Sequence, residues 1–350
     1  MELQELLRQI KPADRQAYEA CIQRFNGIAK PLGSLGKLET LLAQAAGASG
    51  SPEIDLKKRC VLVFCADNGV VAQGVAQSTH QVTTAIARSL ARGTASVSVM
   101  AKAAGADVLP VDVGMVDTVP GLLERKLFSG TGDISAGPAM TRKQAEQLIL
   151  TGALLAAQQV KAGYRILATG EAGIGNTTTS SAVAAVLLGL PAEQVTGRGS
   201  GLSGEGLKRK IETIHNSITV NQPKQDDPVD VLAKVGGADL AAMTGAFLGG
   251  AMSRVPVVVD GLISSVAALC AVRLCPAVKG YLLPSHLTAE PAGKRIMEEL
   301  ELEPMIHGDL RLGEGTGAVA LLPMLDLAAA VYDHAATFAD IQVEAYQKQV

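Results

Sequence analysis

The chain contains no tryptophan, and only 5 phenylalanines and 5 tyrosines occur among its 350 residues. A core short of large rings has to be filled by small aliphatic side chains, which agrees with 48% apolar content and 37 glycines. Positive charge is not in excess either. A net charge of −3 and an isoelectric point near 6.0 leave no broad basic surface for nucleic acid. No uninterrupted apolar run approaches the ~18 residues that cross a bilayer, so no membrane span is expected. The 5 cysteines include no C-x-x-C pair. Cys60 with Cys65, and Cys270 with Cys275, share a spacing and lie in apolar surroundings; they read as reduced core thiols of a cytoplasmic protein. The opening M-E-L-Q-E-L-L-R-Q-I is acidic and amphipathic and lacks a signal-peptide core.

The stretch that organises the rest is Tyr164–Leu188. A short apolar run, Ile166–Ala168, suits a buried strand. Gly170-Glu171-Ala172-Gly173-Ile174-Gly175-Asn176 follows, and its glycines allow positive φ and close backbone approach. A hydroxyl cluster from Thr177 to Ser181 then enters an alanine-rich helical segment. Strand, glycine loop and helix N-terminus together make an anion site, with a phosphate as the obvious guest. The spacing is neither G-x-x-x-x-G-K-[ST] nor a clean G-x-G-x-x-G. A plain strand-to-helix turn with a hydroxyl cap remains the alternative. Glu171 weighs against it, because a carboxylate beside a phosphate is tolerable only if it binds a neutral part of the ligand, such as a sugar hydroxyl.

At 350 residues, one large α/β domain or a large domain with a smaller companion is expected. Leu3–Gln23 has helical spacing interrupted by Pro12, and Leu38–Ala46 forms a second helix. Cys60–Ala66 is a continuous apolar run, as in a strand covered on both faces. Val82–Leu90 reads as helix, Val108–Val113 as strand, Leu122–Gly137 as irregular and Thr141–Ala162 as a long helix capped by Thr141. Further on come a basic helix, Leu207–His215, a helix Ala238–Gly250, a strand Val255–Val259 and a helix Leu262–Arg273. This recurrence of apolar strand, glycine or aspartate turn and helix argues for a parallel sheet with helices on both faces. Ligands in such folds sit beyond the carboxyl ends of the strands, where Asp67, Glu171 and Asp260 fall.

Two later stretches are dense in polar groups. His286 and Glu290 stand four apart in Ser285–Pro291, but the companion ligands of a zinc site are missing, so no metal is expected. In Leu310–Gly317, Glu314 lies between glycines ahead of an apolar helix, Ala318–Ala330. It reads either as a helix-dipole cap or as a general base whose pKa is raised by apolar neighbours such as Leu312.

Seven blocks occur together and in order: K-P-L-G-S-L-G-K-L-E (30–39), A-D-N-G-V (66–70), G-E-A-G-I-G-N-T-T (170–178), G-R-G-S-G (197–201), V-D-G-L-I (259–263), S-H-L-T-A-E-P (285–291) and L-R-L-G-E-G-T-G (310–317). The combination resembles the nicotinate-nucleotide–dimethylbenzimidazole phosphoribosyltransferase family, over nearly the whole chain. The resemblance implies a Rossmann-like parallel sheet with a small helical domain built from both termini, here residues 1–58 with 320–350, around a transfer domain spanning 59–319. It implies transfer of phosphoribosyl from nicotinate mononucleotide to an aromatic lower-ligand base for cobamide synthesis, with release of nicotinate, formation of an α-glycosidic bond and no cofactor. It also implies a dimer, either of identical chains or with a homologous subunit.

Carried over by motif, Glu314 matches the catalytic base, while Glu171, Gly173 and Lys210 match positions that hold the ribosyl phosphate. Gly175, Asn176 and Thr177 join them from the same loop, and Thr288 keeps the hydroxyl of a family serine. Ser78, Ala85 and Leu312 fall to the acceptor. Ala85 stands where benzimidazole users commonly have glutamine, which leaves a phenolic acceptor open beside a benzimidazole. A non-catalytic subunit of a heteromeric enzyme is the competing reading, and retention of Glu314, Glu171 and Lys210 weighs against it. A nucleotide kinase is disfavoured by the missing Walker lysine and metal pattern.

Overall fold

The computed structural model describes residues 2–347; residue 1 and residues 348–350, which the expected helical domain included, lie outside the described residues. Six strands form one parallel sheet: β1 (Arg59–Ala66), β2 (Ala106–Gly114), β3 (Leu123–Glu124), β4 (Ile166–Ala172), β5 (Val257–Val259) and β6 (Leu282–Pro284). Their spatial order is β3-β2-β1-β4-β5-β6. The chain builds outward from β1 on one side, then returns to the middle and builds outward from β4. Between β1 and β4 the helices leave in opposite directions, which opens a crevice at the carboxyl ends of the two strands.

The run Arg59–Ala66 is buried throughout because each face of β1 has its own core. Leu62 and Phe64 join the helices Arg142–Lys161, Asn176–Leu188, Ala238–Met252 and Leu262–Leu274 on one face. Val61, Val63 and Cys65 join Arg15–Gly27, Lys37–Ser49, Ser96–Ala103 and Thr316–His334 on the other. Successive side chains of a strand point to opposite faces, so two cores require apolar residues at every position. The chain ends meet on the second face: the Phe25 and Tyr332 rings lie 5.0 Å apart, and Ala29 N–H donates to the Ala336 carbonyl at 2.9 Å. The first helix, Leu3–Gln9, lies with the opposite core through Leu3 and Leu6.

Three differences from expectation have physical causes. The short strand expected at Ile166–Ala168 runs on to Ala172, because Gly170 and Glu171 pair with Val63 and Phe64 of β1. Glu171 is therefore a strand residue rather than a loop residue. The irregular segment Leu122–Gly137 contains β3, whose two residues are held only by pairing to Val111 and Asp112. Thr316–His334 is long and apolar enough to cross a membrane by length and composition. It is a core helix all the same: Leu321, Leu322 and Leu325 are buried, and its Asp326 pairs with the buried Arg59.

Thr141 caps the long helix as expected. Its hydroxyl accepts from Gln144 N–H at 3.3 Å while the Gln144 side chain accepts from Thr141 N–H at 2.8 Å. All 5 cysteines are free, and Cys21, Cys60, Cys65 and Cys270 are buried.

The helices Arg142–Lys161 and Ala238–Met252 approach until backbone meets backbone. A methyl group on Gly245 would overlap the carbonyl of Ile149, and one on Gly152 would overlap that of Ala242. In an exposed helix, glycine to alanine stabilises by about 1 kcal/mol. Here overpacking reverses the sign, and Gly245→Ala is expected to destabilise by about 1–3 kcal/mol. Urea denaturation of the two proteins measures the difference.

Candidate active site

At the crevice between β1 and β4 lies a cavity of about 250 Å³. One wall is the end of β4 and the loop behind it. Gly173 packs so closely that a Cβ would stand 2.6 Å from the Ala66 carbonyl and 2.9 Å from Asp239 Oδ2. Gly175, at φ +87, turns the chain into the helix Asn176–Leu188. That helix has no side-chain N-cap; Asn176 N–H donates to the Gly173 carbonyl at 3.3 Å and Thr178 N–H to the Gly175 carbonyl at 2.9 Å, and Asn176 and Thr177 at the helix start line the cavity.

The facing wall carries Glu314. Gly313, Glu314 and Gly315 all adopt left-handed backbone, with φ of +86, +61 and +95. For a glutamate this costs about 1–2 kcal/mol. The loop can lie there because Gly170 of β4 has no side chain: a Cβ on Gly170 would overlap the Glu314 carbonyl. Glu314 Oε2 accepts from Val97 N–H at 3.3 Å, at the start of Ser96–Ala103, a helix without a side-chain cap of its own. Of the two readings open for Glu314, the cap is therefore real but serves a different helix. Partial burial raises the Glu314 pKa, the Val97 bond opposes this, and Asp260 adds to it.

Glu171 is buried, and its Oε2 accepts from Asn176 Nδ2 at 2.6 Å. Burial, then Asp239, Asp260 and Glu314, hold its carboxyl well above the usual glutamate range. A neutral carboxyl donates as well as accepts, so Glu171 can face a sugar hydroxyl without repelling a nearby phosphate. Asp239, beneath Gly173, is pushed up to about 6, mainly by burial.

The cavity brings together Ser78, Glu171, Gly173, Gly175, Asn176, Thr177, Thr288, Leu312 and Glu314. Two of the residues singled out in the sequence are not on its wall. Ala85 is exposed on the helix His80–Ala91, which instead contributes Val82 and Ile86. Lys210 is wholly buried behind Thr177; its Nζ donates to Thr177 Oγ1 at 2.8 Å and to the Gly197 carbonyl at 3.2 Å. The cation thus reaches the cavity through a hydroxyl.

The wall also holds Arg198, Ser200 and Arg311, to which the sequence reading gave no role, and His286 and Glu290, which it weighed only as metal ligands. Glu290 Oε1 accepts from Gly199 N–H at 3.1 Å, which ties the Gly197–Gly201 loop to the segment after β6. The ring of His286 meets the Ser285 hydroxyl at 3.1 Å. Among the described residues no group of three or more His, Cys, Asp or Glu side chains is placed to hold a metal.

A phosphoribosyltransferase family model matches residues 10–343. The nicotinate-nucleotide–dimethylbenzimidazole phosphoribosyltransferase of Ruminiclostridium cellulolyticum is 44% identical over 349 residues, covering 99% of both chains. The enzyme of that name from Escherichia coli is 42% identical over 335 residues, covering 95% of this chain and 93% of its own. Among solved structures, CobT from Thermus thermophilus superimposes with a TM-score of 0.89 at 38% identity, covering 94% of this chain and 99% of that one. The chain belongs to the nicotinate-nucleotide–dimethylbenzimidazole phosphoribosyltransferase family.

It is accordingly a phosphoribosyltransferase, with the α/β fold of its solved relatives. Arg198 and Arg311 sit inside two of the blocks on which this family was recognised, G-R-G-S-G and L-R-L-G-E-G-T-G. Their place inside those blocks was the signal available for finding them.

Burial lowers the Lys210 pKa from 10.5 to about 8, with Glu290 opposing. Below about 8 the folded chain bears the full penalty of a buried ammonium. Between about 8 and 10.5 the unfolded chain binds more protons than the folded one, so stability rises with pH across that window. The stability of the natural chain relative to Lys210→Met is therefore expected to climb through that interval. Denaturation curves below, within and above it check the slope, and a flat difference would contradict the placement of Lys210.

Proposed function

We propose that this cavity transfers the phosphoribosyl group of nicotinate mononucleotide to an aromatic acceptor, with Glu314 as the base. The observation that carries the reading is the opposition of two walls. The start of the helix Asn176–Leu188, whose dipole favours an anion, lines one wall, and a strained loop presents a carboxylate across the same cavity. Phosphate lies against the helix start with Arg198, Arg311 and Thr288 near, and Lys210 supports Thr177 from behind. The carboxyl of Glu171 serves the ribose hydroxyls.

The positively charged ring nitrogen of nicotinate leaves with the electrons of its bond to the anomeric carbon, which gathers positive charge as that bond breaks. The acceptor's nitrogen or oxygen attacks from the opposite face, giving an α-glycosidic product. The proton it sheds passes to Glu314. Because burial raises the Glu314 pKa, the acidic limb of turnover is expected above the ordinary glutamate value of 4.5.

The acceptor lies between Ser78, Val82, Ile86 and Leu312. A benzimidazole fits the relatives' names. A phenol is the second reading, favoured by one observation: the wall made by Val82 and Ile86 offers no amide to a second ring nitrogen, although Ala85, which suggested a phenol in the sequence, lies outside the cavity. Dimeric assembly and the grouping of 1–58 with 320–350 as a helical unit remain part of this reading.

Glu314→Gln is expected to reduce turnover by about 10²–10⁴-fold while leaving nicotinate mononucleotide binding intact, as measured by steady-state kinetics and calorimetry. Retained turnover would reject the base assignment. Turnover of the purified chain alone with dimethylbenzimidazole and with p-cresol ranks the acceptors. Activity with neither would favour a requirement for an unlike partner subunit.

A further inference from the structure

We propose that Asp260 positions Glu314, gripping the backbone of the loop that carries it. Asp260 follows β5 and is buried. Its Oδ2 accepts from Gly315 N–H at 3.2 Å, and its Oδ1 accepts from Ala318 N–H at 2.9 Å. Gly315 is the residue next to Glu314 and the last of the three left-handed positions. Asp260 is itself anchored: its N–H donates to Ser264 Oγ at 2.9 Å, and that hydroxyl meets Thr169 Oγ1 at 2.6 Å. Thr169 belongs to β4, one residue before the Gly170 over which Glu314 lies. The chain Thr169–Ser264–Asp260–Gly315 thus ties the Glu314 backbone to two strands of the sheet.

The grip is needed because the bonds within the loop, from Thr316 N–H and Oγ1 to the Gly313 carbonyl, leave the N–H groups of Gly315 and Ala318 to a partner outside it. Gly315 opens the helix Thr316–His334 and has no side chain with which to cap it, so Asp260 takes that role from across the fold. Left-handed backbone at a glutamate persists only where the surroundings over-determine it. The charged and titratable groups facing the loop are Glu171 from β4, His286 from beyond β6 and Arg311 on the loop itself. A methyl on Gly317 would overlap the His286 ring and stand 3.0 Å from Asp260 Oδ1, so the packing admits little slack.

The inference rests on the reading of Glu314 as the base, and the test separates the two. Asp260→Asn, Ser264→Ala, Glu314→Gln and the Asp260→Asn/Glu314→Gln double variant are assayed for kcat, for nicotinate mononucleotide affinity and for the pH profile. Asp260→Asn is expected to lower kcat on the order of 10²-fold, the size of effect a small misplacement produces. Its nucleotide affinity should hold, and its acidic limb should move to lower pH because a negative neighbour of Glu314 has gone. A purely structural loss would not move that limb. Ser264→Ala is expected to lower kcat by less, and the double variant to lose nothing beyond Glu314→Gln.

Loss of turnover in Glu314→Gln with unchanged kcat in Asp260→Asn would sink the positioning role and leave the base intact. Retained turnover in Glu314→Gln would sink the base and with it this inference. Should Asp260→Asn fail to fold, the decision passes to Ser264→Ala, whose unchanged kcat counts against the proposal.

Discussion

Two stretches of backbone meet with no Cβ between them where Gly170 lies beneath the carbonyl of Glu314. Most of the site depends on that approach. β4 reaches Ala172 because its pairing with β1 continues to Cys65, beyond the last residue paired with β5, and its last residues become the floor of the cavity. A side chain at Gly170 would lift the loop of Glu314 away from the floor and from the N–H of Val97. The strain at Glu314, about 1–2 kcal/mol, is small beside the several hydrogen bonds that fix the loop.

The electrostatics of the crevice follow from its position. Strands of a parallel sheet deliver their carboxyl ends, with Asp67, Glu171 and Asp260, to the edge where helices begin. Each of these side chains meets backbone N–H or amide donors: Val116 for Asp67, Asn176 for Glu171, and Gly315 with Ala318 for Asp260. Burial and crowding of acids raise Glu171 and Glu314 in the same direction, but the outcomes differ. Glu171 is enclosed and approaches the role of a neutral hydrogen-bonding group. Glu314 is half-buried and tempered by a helix N-terminus, which suits the base proposed for it.

Much of the fold was legible in the sequence for a simple reason. Strands covered on both faces need unbroken apolar runs, and Cys60–Ala66 announces itself that way; Val108–Val113 is mostly apolar, interrupted by Asp112. The Thr141 cap and the break at Pro12 are local signals and appear where local chemistry puts them. β3 was not legible, because two residues whose only support is pairing to β2 leave no pattern of their own. The length of β4 was hidden by its glycines, which read as a loop until a neighbouring strand supplies their hydrogen bonds. In the site, Glu171, Thr177 and Glu314 could be picked out because carboxylates and hydroxyls among glycines imply exposure to a ligand. Arg198 and Arg311 stood in view inside the same motifs, yet nothing local distinguishes a cavity-lining arginine from a solvated one.

Residue types and their spacing by themselves determined which segments form strands and helices, and which loops are free to approach a ligand. Those properties depend on neighbours a few residues away, where periodicity and capping operate. Tertiary structure alone decided that Lys210 lies behind Thr177 rather than on the cavity wall, that Ala85 is exposed outside the cavity, and that Asp260 holds the backbone of Glu314. Each of these is a contact between segments far apart in the chain, set by the packing of strands and helices into one sheet, and no local pattern encodes it.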